Sequence, residues 1–319
     1  MRRGSGIVAL IWGINIVVLL VILGAVFFYI NQQPAQAAFP ALANTEPPAK
    51  AIFTSEPTLR PLPTVPQVAA ATPVVNAPAT STPLSLSSGR RATIIGLSVS
   101  GRPLEVYTFG QGEKKRMIVA GIHGGYEWNT IALADKLITH LDGHPDIIPS
   151  DVTIYILRNL NPDGEARGHT REARANDHNV DLNRNFPINW QPDWPRDGCW
   201  KDPITGGISP GSEPETQALM RFIETHPIDA LISYHSAALG VFPGGTPWDE
   251  DSKRLAQALS DVSDYPYPPI DTGCFYTGTL ADYGVSMGAA SVDMELSNHR
   301  DTDFEINLRV LEVFLNWQR

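Results

Sequence analysis

The sequence predicts an α/β domain with a mixed, largely parallel central sheet flanked by helices, preceded by one transmembrane helix and a disordered linker. Three observations carry this prediction. Residues 7–30 are almost wholly apolar, residues 31–90 are rich in Pro, Ala, Thr and Ser, and from Arg91 to Arg319 short apolar runs alternate with amphipathic stretches.

The first element spans 24 residues, Ile7 to Ile30, interrupted only by small or weakly polar residues such as Gly13, Asn15 and Gly24. At about 1.5 Å per residue such a helix crosses a hydrocarbon core of roughly 30 Å. A secretory signal core is shorter, about 7–15 residues, so the stretch reads as an uncleaved anchor. The alternative is cleavage after Ala35-Gln36-Ala37, which would secrete the protein. Arg2 and Arg3 precede the span and no Lys follows until Lys50. That asymmetry places the N-terminus in the cytoplasm and the rest of the chain outside the cell.

In the second element, eleven prolines fall between Pro34 and Pro83. A packed core could not tolerate them, so residues 31–90 read as a solvated spacer holding the following domain away from the membrane.

The third element, residues 91–319, is one domain of 229 residues. Met117-Ile118-Val119-Ala120, Ile154-Tyr155-Ile156-Leu157 and Ala230-Leu231-Ile232 predict strands buried on both faces. Thr130–Leu141, Glu215–Thr225, Lys253–Val262 and Phe304–Trp317 predict helices. Ser212 and Glu215 have capping-box spacing for one of them, with Pro214 in its first turn.

Composition removes some functions. The whole chain has 24 Lys+Arg against 34 Asp+Glu, a formal charge of -10. Five basic and two acidic residues precede residue 91, so the domain itself carries 19 against 32, or -13. With no basic block there is no electrostatic basis for a nucleic-acid partner. Two cysteines are too few for a Cys-based zinc site, so any metal must be held by His and carboxylates.

Ligands of open α/β sheets gather at the carboxyl ends of strands. There the sequence places His123 and Glu127 after one apolar run, His235 after a second, and Glu295 after the stretch Ser291-Val292-Asp293-Met294. Each has a plain reading: a lone His usually makes a hydrogen bond, Glu295 could pair with Arg300, and Arg174 and Arg184 could be solvated loop charges. Together, two imidazoles and a carboxylate with a further carboxylate as general base have the composition of a catalytic zinc site.

Asn161-Pro162-Asp163-Gly164, Arg174-Ala175-Asn176, Val180-Asp181-Leu182-Asn183-Arg184-Asn185-Phe186-Pro187, Gly211-Ser212-Glu213-Pro214-Glu215-Thr216 and Ser233-Tyr234-His235-Ser236 together resemble the zinc carboxypeptidases of the M14 type. In detail they are closer to the short bacterial branch that includes murein peptide amidases. The resemblance covers Ile94 to the C-terminus. It implies one zinc ion held by His123, Glu127 and His235, with Arg174 polarising the scissile carbonyl. Asn183 and Arg184 would bind the substrate carboxylate, Tyr276 would close over it, and Glu295 would be general base and acid for a zinc-activated water.

Two departures stand out. The family spacing is His-x-x-Glu, whereas here it is His123-x-x-x-Glu127, with Tyr126 at the expected acid position. A phenol is a poor zinc ligand and Trp128 follows Glu127 as in the family, so a one-residue insertion keeps Glu127 as ligand; the alternative is a degenerate site. Asn179 replaces a usual glycine in a turn, where Asn also tolerates positive φ.

The implied reaction is hydrolysis of the C-terminal amide bond of peptides outside the cell. The alternatives are trimming of peptidoglycan stem peptides and an inactive module that holds peptide C-termini. Ala281, beside Asp282, would lie near the pocket for the terminal side chain; being uncharged, it argues against a strict preference for basic or acidic ends. A monomer is expected. Cys199 and Cys274 lie in predicted loops facing an oxidising compartment, where a disulfide is permitted.

Overall fold

The computed structural model describes residues 83–85, 91–194, 203–237, 240–271 and 273–319. The expected span at 7–30, the cleavage point at Ala37, nearly all of the linker, and Cys199 lie outside the described residues. Among the described residues no helix is long and apolar enough to cross a membrane. Cys274 is disulfide-bonded.

The strands are β1 (Pro83–Ser85), β2 (Arg91–Leu97), β3 (Pro103–Gly110), β4 (Lys114–Val119), β5 (Val152–Leu157), β6 (Ala230–Ser236), β7 (Val241–Pro243) and β8 (Ala290–Leu296). They form one sheet in the order β1-β2-β3-β5-β4-β6-β8-β7. The helices are α1 (Trp128–Gly143), α2 (Pro162–Ala166), α3 (Pro214–Thr225), α4 (Glu250–Ser263), α5 (Leu280–Ser286) and α6 (Phe304–Asn316).

Period-two alternation along the central strands builds two cores, one on each face. Ile118, Ile154, Ile156, Ile232, Val292 and Met294 face α1, α4 and α6 through Leu137, Leu255 and Phe314. Met117, Val119, Leu157 and Leu231 face α3 and α5 through Leu219, Phe222, Leu280 and Tyr283. Both faces are covered, which is why these strands read as continuous apolar runs.

The sheet is mixed, but the expectation that it is largely parallel needs correcting. Only β5-β4, β4-β6 and β6-β8 pair in parallel, while β1-β2, β2-β3, β3-β5 and β8-β7 are antiparallel. Only the doubly buried strands show as continuous apolar runs in the sequence. β3 has a half-exposed, irregular burial pattern and β2 is bulged between Ile94 and Gly96, so neither shows a continuous apolar run. β1 falls inside the expected linker: a three-residue edge strand is held by backbone hydrogen bonds and needs no apolar period.

The capping box is also absent. The N-cap of α3 is Glu213, and the Ser212 hydroxyl donates to its carboxylate instead (2.6 Å). Glu215 is buried under the backbone N–H of Val99 and the side chain of Asn176. One buried polar device was not foreseen. Arg116 of β4 donates from Nε to the Phe314 carbonyl (3.1 Å) and from Nη2 to the Trp317 carbonyl (2.5 Å), capping the C-terminal end of α6.

Candidate metal and active site

The tight approach of two loops brings the first ligand candidates into place. After β4 the chain turns through Gly124, at φ 49°, where a Cβ would stand 2.7 Å from the Gly164 Cα and 2.8 Å from the Ala173 carbonyl. Only glycine fits there. A 3-10 turn, Gly124–Glu127, then runs directly into α1, with His123 at its start and Glu127 at its end.

His235 and Glu295 come from neighbouring parallel strands and are directly opposite in register. Both lie within their strands, β6 and β8, and not beyond the strand ends as the sequence suggested. They share a sheet face with Ser233 and Asp293, two residues before each. The peptide bond that follows, Ser236–Ala237, is cis.

The donors converge. One ligand atom each from His123, Glu127 and His235 lie within 4.8 Å of one another, and all three residues are buried. His123 Nδ1 stands 2.8 Å from Glu127 Oε1 and 3.2 Å from His235 Nδ1, which in turn is 3.4 Å from Glu127 Oε2. Two imidazole nitrogens facing each other at this distance must share a proton or face one cation. This donor set suits zinc, which takes His nitrogen and carboxylate oxygen. Without a metal, burial lowers the His235 pKa, but the charges of Asp293 and Glu127 outweigh it and push the value up to about 10. For Glu127, burial acts upward, but His123 and His235 hold the carboxylate well below its usual range. Metal binding would therefore displace a proton.

The one-residue insertion is accommodated, and Glu127, not Tyr126, enters the cluster. The Tyr126 ring packs 4.9 Å from that of His299.

Asp181, within the polar motif that begins at Val180, joins the cluster as a partner of His123 and Arg174. Its Oδ1 lies 3.1 Å from His123 Nε2 and accepts from the Asn183 N–H at 3.0 Å; its Oδ2 accepts from Arg174 Nε at 3.0 Å. Burial alone would raise its pKa, but Arg174 and His123 hold it well below the usual range. Arg174 in turn reaches Glu127 Oε1 at 3.3 Å. Its pKa is lowered by burial yet raised overall by Asp181 and Glu127.

The sequence motifs explain how Arg174 is held. Asn161 caps α2 by accepting from Gly164 N (2.8 Å) and donates to the carbonyls of Arg174 (3.1 Å) and Ala175 (3.0 Å). Asn176 accepts from His178 N and Val180 N and donates to Glu213 and Glu215. These residues shape the turn and do not face the cluster.

Arg184 is buried, with Nη1 donating to the Asn183 carbonyl (2.8 Å) and Nε without a hydrogen-bond partner among the described residues. Its guanidinium carbon lies 5.3 Å from the Tyr276 ring and 5.4 Å from that of Trp194. Burial is the main cause lowering its pKa. Asn183 turns inward: Nδ2 lies 3.3 Å from both His235 Nε2 and Asp293 Oδ2, and Oδ1 accepts from Leu280 N at 2.8 Å. Tyr276 is partly exposed, and Gly278 (φ 57°) ties its segment to the Arg184 loop by accepting from Phe186 N.

Glu295 faces the same space. Its Oε2 is buried without a hydrogen-bond partner among the described residues, and burial first, then the charge of Glu127, raise its pKa to about 8. All the sequence candidates, His123, Glu127, Arg174, Asn183, Arg184, His235, Tyr276 and Glu295, line one cavity of about 620 Å³. Asp293 and Asp282 line it too.

The chain matches the zinc carboxypeptidase family of M14 peptidases over residues 87–291, ending just before Glu295. It is 33% identical to murein peptide amidase A of Escherichia coli over 148 residues, covering 44% of this chain and 57% of that protein. It is 29% identical over 229 residues to mast cell carboxypeptidase A of Rattus norvegicus, covering 61% and 55%. The chain thus spans little more than half the length of these curated relatives. Among solved structures it is similar to murein-tripeptide amidase from Escherichia coli O157, with TM-score 0.53 and 25% identity over 72% of this chain and 92% of that one. The fold is also that of bovine thrombin-activatable fibrinolysis inhibitor, solved with a tick carboxypeptidase inhibitor: TM-score 0.56, 20% identity, 70% and 86% covered.

Proposed function

Because the chain belongs to the zinc carboxypeptidase family of M14 peptidases, we propose that it is a metallocarboxypeptidase hydrolysing the amide bond beside a free C-terminal carboxylate. The observation that carries this reading is the convergence of His123, Glu127 and His235 in the cavity that Glu295 also lines. His123, Glu127 and His235 would hold one zinc ion, which when bound supplies a Lewis acid for the scissile carbonyl and for a water.

The chain's own residues do the rest. Glu295 accepts the proton of the attacking water and hands it to the departing amine, a role favoured by its raised pKa. Arg174, fixed by Asp181, aims a charged donor at the oxygen that becomes negative. Arg184 offers Nε and its remaining N–H groups to the substrate carboxylate, where a planar guanidinium can donate two parallel bonds. Asn183 supports Arg184 through its carbonyl, and Tyr276 covers the guanidinium.

The test is zinc-loaded protein against a tripeptide panel. Release of the C-terminal residue, abolished by a chelator and by Glu295→Gln with zinc still bound, supports the reading; full activity of Glu295→Gln would overturn it. The likeness in sequence and in fold to the murein peptide amidase of Escherichia coli favours a second reading, trimming of peptidoglycan stem peptides. Substrates ending in Leu, Lys or diaminopimelate separate the two. The inactive-module reading drew on the displaced Glu127, whose carboxylate nevertheless lies among the ligand candidates.

Action at the outer face of the membrane rests on the apolar segment 7–30. Carbonate-resistant pelleting of the full chain, with the domain open to external protease, is the expected result; release into the medium would point to cleavage after Ala37.

A further inference from the structure

We propose that His299 receives the acyl side of the substrate, its Nε2 accepting a hydrogen bond from a main-chain N–H one or two residues before the scissile bond. This rests on the carboxypeptidase reading above and adds a substrate contact on the side of the cavity that the mechanism leaves unused.

The cavity has a direction. His235 presents Nε2 to Asn183 (3.3 Å), the neighbour of Arg184, and Nδ1 to Glu127 (3.4 Å). Beyond Glu127 comes Ser236, whose N–H donates to Glu127 Oε2 at 3.2 Å and whose Oγ lies 2.9 Å from His299 Nδ1. Strand β8 runs the same way: Asp293 touches Asn183, Glu295 follows, and His299 comes after the strand has ended at Leu296. A substrate with its terminal carboxylate on Arg184 and its scissile carbonyl at the His123, Glu127 and His235 cluster therefore runs out past His299, which lines the same cavity.

The hydrogen bonds behind His299 assign its tautomer. Asn129 is fully buried, and its Nδ2 donates to the carbonyls of Asn298 (2.7 Å) and Asp301 (2.9 Å), which can only accept. Asn129 Oδ1 therefore faces Ser236 and takes the proton of its hydroxyl (3.1 Å). With that proton used, Ser236 Oγ can only accept, and His299 Nδ1 must be the donor. The neutral ring then carries its lone pair on Nε2, and among the described residues nothing donates to that atom.

The ring is also held in place. Asn298 Oδ1 accepts from the N–H groups of Arg300 (2.7 Å) and Asp301 (2.8 Å), which pins the turn that carries His299. Tyr126, which the one-residue insertion moves out of the ligand position, packs its ring against that of His299. An acceptor fixed in this way on the path of the substrate lacks only a donor. A peptide supplies one from its main chain, and no charged side chain is required of it.

The experiment measures kcat/KM of the zinc-loaded full-length protein at about pH 8, where imidazole is an acceptor. The substrates are an acetylated tripeptide, ending in the residue that the panel favours, and two analogues in which an ester oxygen replaces the N–H of the first or the second residue. One analogue is expected to be cleaved about fivefold to tenfold less well than the parent, as for one lost neutral hydrogen bond. In His299→Phe, which keeps a ring beside Tyr126 without the acceptor, the parent should fall by that factor and the penalty on the analogue should vanish. His299→Gln, whose amide oxygen can stand near the place of Nε2, should keep part of the penalty and serves where Phe disturbs folding. Wild-type protein that cleaves all three peptides alike overturns the proposal. So does a penalty that persists undiminished in His299→Phe, because another group would then hold the N–H. If no peptide is cleaved, the carboxypeptidase reading fails separately, and calorimetric titration of the set ending in Leu into the Glu295→Gln protein decides. Weaker binding of one ester analogue, equalised by adding His299→Phe, sustains the contact; equal binding, or none, overturns it.

Discussion

Asp181 Oδ1 lies 3.1 Å from Nε2 of His123, on the side of the ring opposite the nitrogen that faces Glu127 and His235. A carboxylate there fixes the tautomer, leaves Nδ1 as the free electron pair, and raises its basicity. The other oxygen of the same carboxylate holds Arg174. Asp181→Asn should therefore weaken zinc binding about 10–100-fold and misplace Arg174. Competition with a chromophoric chelator measures the first effect, and unchanged zinc affinity would show that the contact does not tune the ligand.

Among the described residues Arg184 has a buried Nε with no hydrogen-bond partner and two aromatic rings within 5.4 Å. A group held in that state is prepared for an anion. Arg184→Ala should lower kcat/KM about 30–1000-fold, as for a lost charge-paired hydrogen bond worth roughly 2–4 kcal/mol, chiefly through KM. Arg184→Lys keeps the charge but not the planar fork, so it should restore only part of the loss. The discriminating control is a C-terminally amidated peptide. Wild-type protein should reject it strongly, and Arg184→Ala should barely distinguish it from the free acid.

Glu295 predicts a cost in stability that function imposes. Its pKa rises from 4.5 to about 8, first through burial and second through the charge of Glu127. A carboxyl raised in the folded state contributes stability fully present below pH 4.5; that contribution declines as the unfolded chain ionises and is gone once the pH passes about 8. Metal-stripped wild-type protein should thus lose stability between pH 5 and pH 9, and Glu295→Gln, which cannot ionise, should lose less. Thermal melts of both proteins across that range give the comparison. Parallel pH profiles would mean that Glu295 does not titrate abnormally.

Much of the site was legible because its chemistry needs rare side chains at strand ends. His123, Glu127, His235 and Glu295 follow apolar runs that could be recognised by eye, and Arg174 and Arg184 sit in distinctive polar motifs. Asp181 and Asp293 were not assigned roles, because an acid two residues from a known group is an ordinary residue until the fold shows which way it points. Asp293 in particular meets His235 and Asn183 only once β6 and β8 are paired. β2 and β3 were hidden because half-exposed antiparallel strands lack the doubly buried runs that revealed β4, β5 and β6. Arg116 was invisible for another reason, since its partners, Phe314 and Trp317, lie about two hundred residues away.

Arg116 supplies the test that separates scaffold from site. Its side chain is buried, burial lowers its pKa, and it ends on two carbonyls at the C-terminal end of α6. Replacing it with Met preserves length and apolar packing but leaves both carbonyls without this donor. Hydrogen bonds to a charged group contribute about 1.5–3 kcal/mol, and a buried acceptor left unsatisfied costs about 1–3 kcal/mol. The α6 face packs on the sheet side opposite α3 and α5, through Phe314, Leu311 and Val310. Arg116→Met should therefore lower Tm by several degrees while KM for a tripeptide and the zinc stoichiometry of the folded protein stay within about twofold of wild type. A large change in KM without a fall in Tm would mean that the helix end communicates with the site, contrary to its role as a cap.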